Sequence, residues 1–236
     1  MMILALESSA AACSAALSRD GALVAQFYQN SGLTHSRTLL PMVHAMLESC
    51  GVGLEQVDVI AVAAGPGSFT GLRIGVSTAK GLAWPGDKPC APCSTLESMA
   101  WPLAHLEGQL IVCAMDARRS QVYNALFLAT GEGLKRLTPD RAVSLEELGE
   151  ELKKYENSKI VVGDGAGLCY NTLMEAGVVL KLAPPPLRMQ SAFGVARAAQ
   201  ELAAAGALVQ GRELAPVYHR LSQAERERLE REKATK

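Results

Sequence analysis

No run of this chain stays apolar for the ~18 residues that a membrane span needs. Neither sign of charge dominates: 23 Lys and Arg stand against 24 Asp and Glu, a net charge of -1. That balance excludes a chain that clamps nucleic acid on its own, because neutralising phosphates takes a basic surface. The six Cys are scattered, and no second Cys or His pair stands at zinc spacing from the Cys90-Ala91-Pro92-Cys93 motif. Reduced Cys in apolar surroundings behave as small hydrophobes, so a cytosolic, reduced protein is expected. The first residues, Met1 to Glu7, lack a basic n-region and read as a strand rather than a signal peptide. The 236 residues suffice for one large or two small domains, and hydrophobic and charged contents of 49% and 20% are those of a globular chain.

What is present is organised around Ala64 to Gly81. An apolar run, residues 57–63, reads as a buried strand. Gly65-Pro66-Gly67-Ser68 breaks it. Leu72, Val76, Ala79 and Ala83 then recur at helical spacing, with Ser68 or Thr70 able to cap the helix. Gly71, Gly75, Thr78 and Leu82 share one face, where a backbone or a ligand can approach closely. Strand, glycine turn and helix in that order suit a phosphate cradle at a helix N-terminus. They equally suit a tight turn feeding a packing helix, the commoner use. It is not a P-loop, since no Gly-Lys-Ser/Thr follows at the required spacing.

The rest of the chain falls into two halves of similar order. The first opens with strands at residues 3–6, 13–17 and 23–28, the last two joined by an Asp20-Gly21 hairpin turn. A helix runs from Thr34 to about Cys50, with Leu39, Leu40, Val43, Met46, Leu47 and Cys50 as its apolar stripe. Its second face, Thr38, Met42, Ala45 and Ser49, is uncharged, and Pro41 is expected to kink it or delay its start. His35 and His44 do not share a helical face, so a ligand pair is not read there. Pro85 to Pro92 reads as a loop, and Ser94-Thr95-Leu96-Glu97 as a capping box opening a helix to Leu103. The second half repeats the theme with strands at residues 110–115 and 122–128, and helices at 145–154, 170–176 and 191–205. Asp116 is either a site carboxylate or a turn residue. Gly163-Asp164-Gly165 ends a further strand, Pro184-Pro185-Pro186 reads as a stiff connector, and the charged tail from Gln223 reads as a solvated helix or a partner-binding segment. The expected fold is α/β, two similar lobes of mixed sheets flanked by helices. The boundaries are 1–104 for the first lobe, which carries the partner-binding helices, 105–220 for the second, whose last helix is expected to pack back on the first lobe, and 221–236 for the tail. Three antiparallel strands opening the chain resemble the actin/Hsp70 (ASKHA) architecture.

Gly65-Pro66-Gly67-Ser68-Phe69-Thr70-Gly71-Leu72-Arg73-Ile74-Gly75 resembles the signature of the TsaB (YeaZ) family. His35-Ser36 with Leu39-Leu40-Pro41, Asp116-Ala117-Arg118 with Val122-Tyr123, and Pro216-Val217-Tyr218 with Leu221 follow in family order. The resemblance implies a non-catalytic subunit of a bacterial complex that makes N6-threonylcarbamoyladenosine (t6A) at position 37 of tRNAs decoding ANN codons. Such a subunit pairs with the catalytic paralogue TsaD, works with the ATPase TsaE and reaches tRNA through the complex. Alone it pairs with a second copy.

The resemblance also bears on chemistry. Where the paralogue carries a His-x-x-x-His metal pair, this chain has Thr95 and Met99. A thioether and a hydroxyl are poor ligands for a hard or borderline metal, so no metal, no catalytic residue and no cofactor are expected in this subunit alone. ATP or ADP is expected only near the partner interface of the complex. Glu7 stands where many family members have Asp, and Gln121 where Glu is expected. The family's two-helix interface implies partner-binding roles for Thr38, Met42, Ala45, Ser49, Gly71, Leu72, Ile74, Gly75 and Thr78. Two other classes stay open. One is an ATPase or glycoprotease-like metallo-hydrolase acting alone, with its cleft near Ser8, Asp116 and Gly163. The other is a stand-alone homodimeric binding module.

Overall fold

The computed structural model describes residues 1–118 and 120–219. The first lobe opens with β1 (Met2–Glu7), β2 (Cys13–Arg19) and β3 (Ala22–Gln29), followed by α1 (His35–Cys50), β4 (Val59–Gly65), α2 (Phe69–Ala83) and β5 (Cys90–Ser94). α3 (Thr95–Ala100) leads to the second lobe. There follow β6 (Leu110–Asp116), β7 (Gln121–Ala129), β8 (Leu134–Arg136), β9 (Arg141–Ser144), α4 (Leu145–Leu152), β10 (Lys159–Val162), α5 (Ala166–Glu175), β11 (Lys181–Leu182), α6 (Pro185–Arg188) and α7 (Ala192–Ala204).

The two sheets are built alike. The first has strand order β3-β2-β1-β4-β5 and the second β11-β10-β6-β7-β8, with β9 added beside β7. Read from the opposite end, the second repeats the first, position for position. In each, three antiparallel strands come first in the chain, and the next two lie parallel on the far side of the opening strand. This is the duplicated, actin-like α/β arrangement expected from the sequence. Parallel pairing needs a crossover, and α2 supplies it between β4 and β5.

Apolar spacing decides which face each helix buries. Leu39, Val43 and Met46 of α1, with Val76, Ala79 and Ala83 of α2, cover one face of the first sheet against Leu4, Leu6 and Val62. Ala192, Val195, Ala196 and Ala199 of α7 cover the other against Ile3, Ala5 and Ala61. In the second sheet α4 and α5 lie on one face. Leu96, Met99 and Ala100 of α3 cover the other, against Ile111, Cys113 and Phe127. Packing therefore does not follow the boundary at residue 104. α3 precedes that boundary yet lies on the second sheet, and α7 follows it yet lies on the first. The two helices cross between the sheets, and a Cβ on Gly194 would stand 2.0 Å from the Ser98 carbonyl oxygen.

Several local expectations are corrected. Pro41 does not delay α1, which starts at His35 and runs through it, with Pro41 on the solvent side, where water can meet the Arg37 carbonyl that a proline cannot pair. It ends on Gly51 in the left-handed region, φ 62°. Residues 90–92, read as loop, are β-strand, and Pro92 is tolerated because β5 lies at the sheet edge. Pro184-Pro185-Pro186 is not only a connector, since Pro185 and Pro186 open the short α6. α5 starts at Ala166, four residues before the expected Tyr170. β8 and β9 went unread. Both are short and partly charged, and they are braced by Arg136, which pairs with Glu97 at 2.7 Å and Asp140 at 2.6 Å. The tail, Leu221 and Arg119 lie outside the described residues.

Candidate functional site

Both lobes present the turn after their first strand to one cleft of about 650 Å³. Ser9 to Ala11 come from the β1–β2 turn, Asp116 to Arg118 from the β6–β7 turn, and Gly67 to Thr70 from the head of α2. Asp164 follows β10, and Tyr218 closes one side. This placement follows from the duplication, because equivalent strand ends of two similar sheets face each other.

The side chains that the sequence suggests for the cleft are engaged in structure, while Ser9, whose hydroxyl has no hydrogen-bond partner, and His219 line it as well. The Ser8 hydroxyl donates to the Gly71 carbonyl at 2.9 Å and is buried. Asp116 accepts the Arg118 backbone N–H at 2.7 Å, the turn bond that such residues commonly make. Gly163 is needed for packing, since a Cβ there would stand 2.1 Å from the Ala114 carbonyl oxygen. Of the histidines, His35 Nε2 lies 2.6 Å from the Ala10 carbonyl and His105 Nδ1 3.1 Å from that of Pro102. Both rings serve backbone, not a nucleophile.

The chemistry of Thr95 and Met99 does not fit a metal. Both are buried, and the Met99 sulfur stands 3.1 Å from where a Cβ on Gly163 would be, within an apolar cluster. Among the described residues, no three His, Cys, Asp or Glu side chains are grouped to hold an ion. Cys90 and Cys93 are buried in β5. Burial pushes the Cys90 thiol up to about 11 and the Cys93 thiol higher, the reverse of an activated dithiol.

One group stands apart. Glu7, at the end of β1, is wholly buried. Its Oε1 accepts the Ser9 N–H at 2.6 Å, while Oε2 has no hydrogen-bond partner. Burial raises its carboxyl to about 7, the Ser9 hydrogen bonds oppose that shift, and the charge of Asp164 adds to it. Asp164 is raised too, chiefly by burial, although more than a third of its surface is open and the Gln190 amide donates to it at 2.8 Å. Sequence reading noted Glu7 only as a departure from a family pattern. Its position at the end of an apolar strand was the available signal.

The second feature is a groove of about 570 Å³ between α1 and α2, walled by His35, Ser36, Leu40, Phe69, Arg73 and Ile74, with Ser77 and Thr78 beyond. It corrects the expected partner face. Gly71, Leu72 and Gly75 point inward and are buried. A Cβ on Gly71 would stand 2.1 Å from the Ser8 carbonyl oxygen, and one on Gly75 2.5 Å from the Ser8 hydroxyl. The glycines thus admit the chain's own β1–β2 turn, not a neighbour. Thr38 and Met42 line a separate hollow between α1 and β3, and the Thr38 hydroxyl reaches the Cys13 sulfur at 3.8 Å. Ala45 is half-buried and Ser49 is exposed, its hydroxyl donating to the Ala45 carbonyl at 2.7 Å. Ile74 and Thr78 do stand on the groove. The outward stripe of α2 is Arg73, Ser77 and Gly81, continued past its end by Trp84, which is 85% exposed. On α1 its counterpart is Leu40, 53% exposed.

Residues 29–183 match the family model described as TsaD, tRNA N6-adenosine threonylcarbamoyltransferase. The chain is 37% identical over 168 residues to the tRNA threonylcarbamoyladenosine biosynthesis protein TsaB of Bacillus subtilis (strain 168), covering 71% of this chain and 73% of that one. It is 34% identical over 183 residues to the TsaB of Escherichia coli (strain K12), covering 77% and 79%. Its structure matches YeaZ from Pseudomonas aeruginosa with a TM-score of 0.78 at 29% identity, over 92% of this chain and 99% of that one.

Proposed function

Because this chain belongs to the TsaB (YeaZ) family, we propose that it is the non-catalytic, activating subunit of a t6A-forming complex. It pairs through the α1–α2 groove with a TsaD-type subunit, the two working with a TsaE-type ATPase on tRNA in the cytoplasm. In the absence of that partner the same face pairs with a second copy. The observation that carries this reading is the contrast between the chain's two hollows. Ser8 and Asp116 beside the cleft are engaged by backbone, His219 in its lining lies against Tyr123, and Thr95 and Met99 stand, buried, where imidazoles would be required. The groove is open, uncharged over Leu40, Ile74, Ser77 and Thr78, and flanked by an exposed Trp84. Small and apolar side chains on a pair of helices suit burial against another helix pair.

The cleft of this subunit is a poor phosphate site. Asp116 and Asp164 both line it against one described arginine, Arg118, so an anion would meet two carboxylates for one guanidinium. A nucleotide is therefore assigned to the assembled complex rather than to this chain. The test is reconstitution. With a TsaD-type subunit, a TsaE-type ATPase, threonylcarbamoyl-AMP and an ANN-decoding tRNA, t6A should form only when this chain is added. Equal formation without it, or saturable ATP or peptide hydrolysis by this chain alone, would sink the reading.

A further inference from the structure

Past the buried Leu214 the chain returns to the head of α2. The Val217 N–H donates to the Ala64 carbonyl at 2.7 Å, laying the segment beside the end of β4. Gly65 permits this approach, since a Cβ there would stand 2.2 Å from the Val217 carbonyl oxygen, and its φ of 145° suits glycine. The consequence is local. Tyr218 is set down on Phe69 with ring centroids 4.7 Å apart and planes inclined at 27°. Its hydroxyl accepts from Arg73 Nε at 3.0 Å, and the Arg73 guanidinium lies 3.9 Å over the Phe69 ring. Each of the three side chains touches the other two.

The set joins the two hollows. Tyr218 lines the cleft but not the groove, Arg73 lines the groove but not the cleft, and Phe69 lines both. Among the described residues Arg73 makes no ion pair, and its side-chain hydrogen bond is the one to Tyr218. A long exposed arginine without such a tether samples many rotamers, and ordering it on association costs affinity. We propose that Tyr218 is a positioning residue for the partner groove. From the cleft side it holds Phe69 and Arg73 in the arrangement that an incoming helix pair meets, without touching that pair itself. The inference rests on the reading that the α1–α2 groove receives the partner subunit. It carries a corollary: whatever displaces Tyr218 from within the cleft loosens the groove, and partner binding steadies Tyr218 in return, as linkage requires.

The test uses the full-length chain as wild type, Tyr218→Ala and Tyr218→Phe, titrated with a TsaD-type subunit. Tyr218→Ala should weaken binding about tenfold, the scale of one aromatic contact. Tyr218→Phe keeps the ring against Phe69 but releases Arg73, and should bind with an affinity between those of wild type and Tyr218→Ala. In the free chain, amide exchange of residues 69–73 should rise in Tyr218→Ala while the melting temperature holds. Unchanged affinity in Tyr218→Ala overturns this inference alone. So does a loss that comes with a lowered melting temperature and faster exchange throughout. Failure of the wild type to bind overturns the inference and the partner reading together.

Discussion

A carboxyl group buried at the end of β1 carries a measurable cost. Glu7 keeps its proton to about pH 7 in the folded chain but loses it near 4.5 when unfolded. Between those values the folded state binds the extra proton, so stability falls as pH rises from about 4.5 to about 7 and is level above. The shift corresponds to about 3 kcal/mol at most. Glu7→Gln keeps the shape and removes the ionisation. The variant should lose that slope and melt higher than wild type at pH 8, with the two closer at pH 5. Parallel melting curves for both proteins across this range would show that Glu7 is not held as described. Nothing in the run Met2-Ile3-Leu4-Ala5-Leu6-Glu7 disclosed the cost. Sequence places Glu7 at a strand end, while one contributor to its raised value, the charge of Asp164, lies more than a hundred residues along the chain.

At the scale of single elements, α2 has two sides with opposite duties. Gly71→Ala would push a methyl group into the Ser8 carbonyl, a backbone atom that cannot swing aside. Overpacking of that kind costs about 2 kcal/mol, or roughly 5 °C in a chain of this size. Ser77→Arg, on the outward side, should leave the melting temperature of the free chain unchanged and abolish the complex with a TsaD-type subunit on size-exclusion chromatography. A Gly71→Ala chain that melts like wild type would refute the inward packing. A Ser77→Arg chain that elutes in an undiminished complex would refute the outward surface. The elements themselves were largely legible, because α1, α2, α4 and α7 repeat apolar residues at helical spacing and β1, β4, β6 and β10 are continuous apolar runs. Spacing disclosed the apolar side of α2, Leu72, Val76, Ala79 and Ala83, but not that Gly71 and Gly75 are buried with it. Glycine marks close approach but not by whom, and here the β1–β2 turn makes it. β8 and β9 were hidden for a related reason: edge strands held by an ion-pair cluster carry little alternation of their own.

For the whole molecule, the repeated strand order and the return of the last helix to the first lobe were legible in outline, whereas the place of α3 on the second sheet was not. Only tertiary contacts reveal the full exchange. It implies that neither half is a folding unit. Residues 1–104 without α7 would leave the face of the first sheet around Ile3, Ala5, Ala16 and Ala61 open to water. That fragment should aggregate or bind a hydrophobic dye, while the full chain melts in one cooperative transition. Two separate transitions in the full chain would count against the shared middle layer. Cleft and groove have different standing at this scale. The cleft was foreseeable from the duplication, and the lack of imidazoles at Thr95 and Met99 from the residues themselves. The groove's true lining needed the packed structure.

The crossing of α3 and α7 has a mechanical consequence. With Gly194 pressed against the Ser98 carbonyl there is no spacer between the helices, so the point acts as a fulcrum. A backbone contact this close opposes sliding of the lobes more than rocking about it. A rocking that widened the mouth beside Asp116 and Asp164 would tilt the first sheet, and with it the two helices on its outer face.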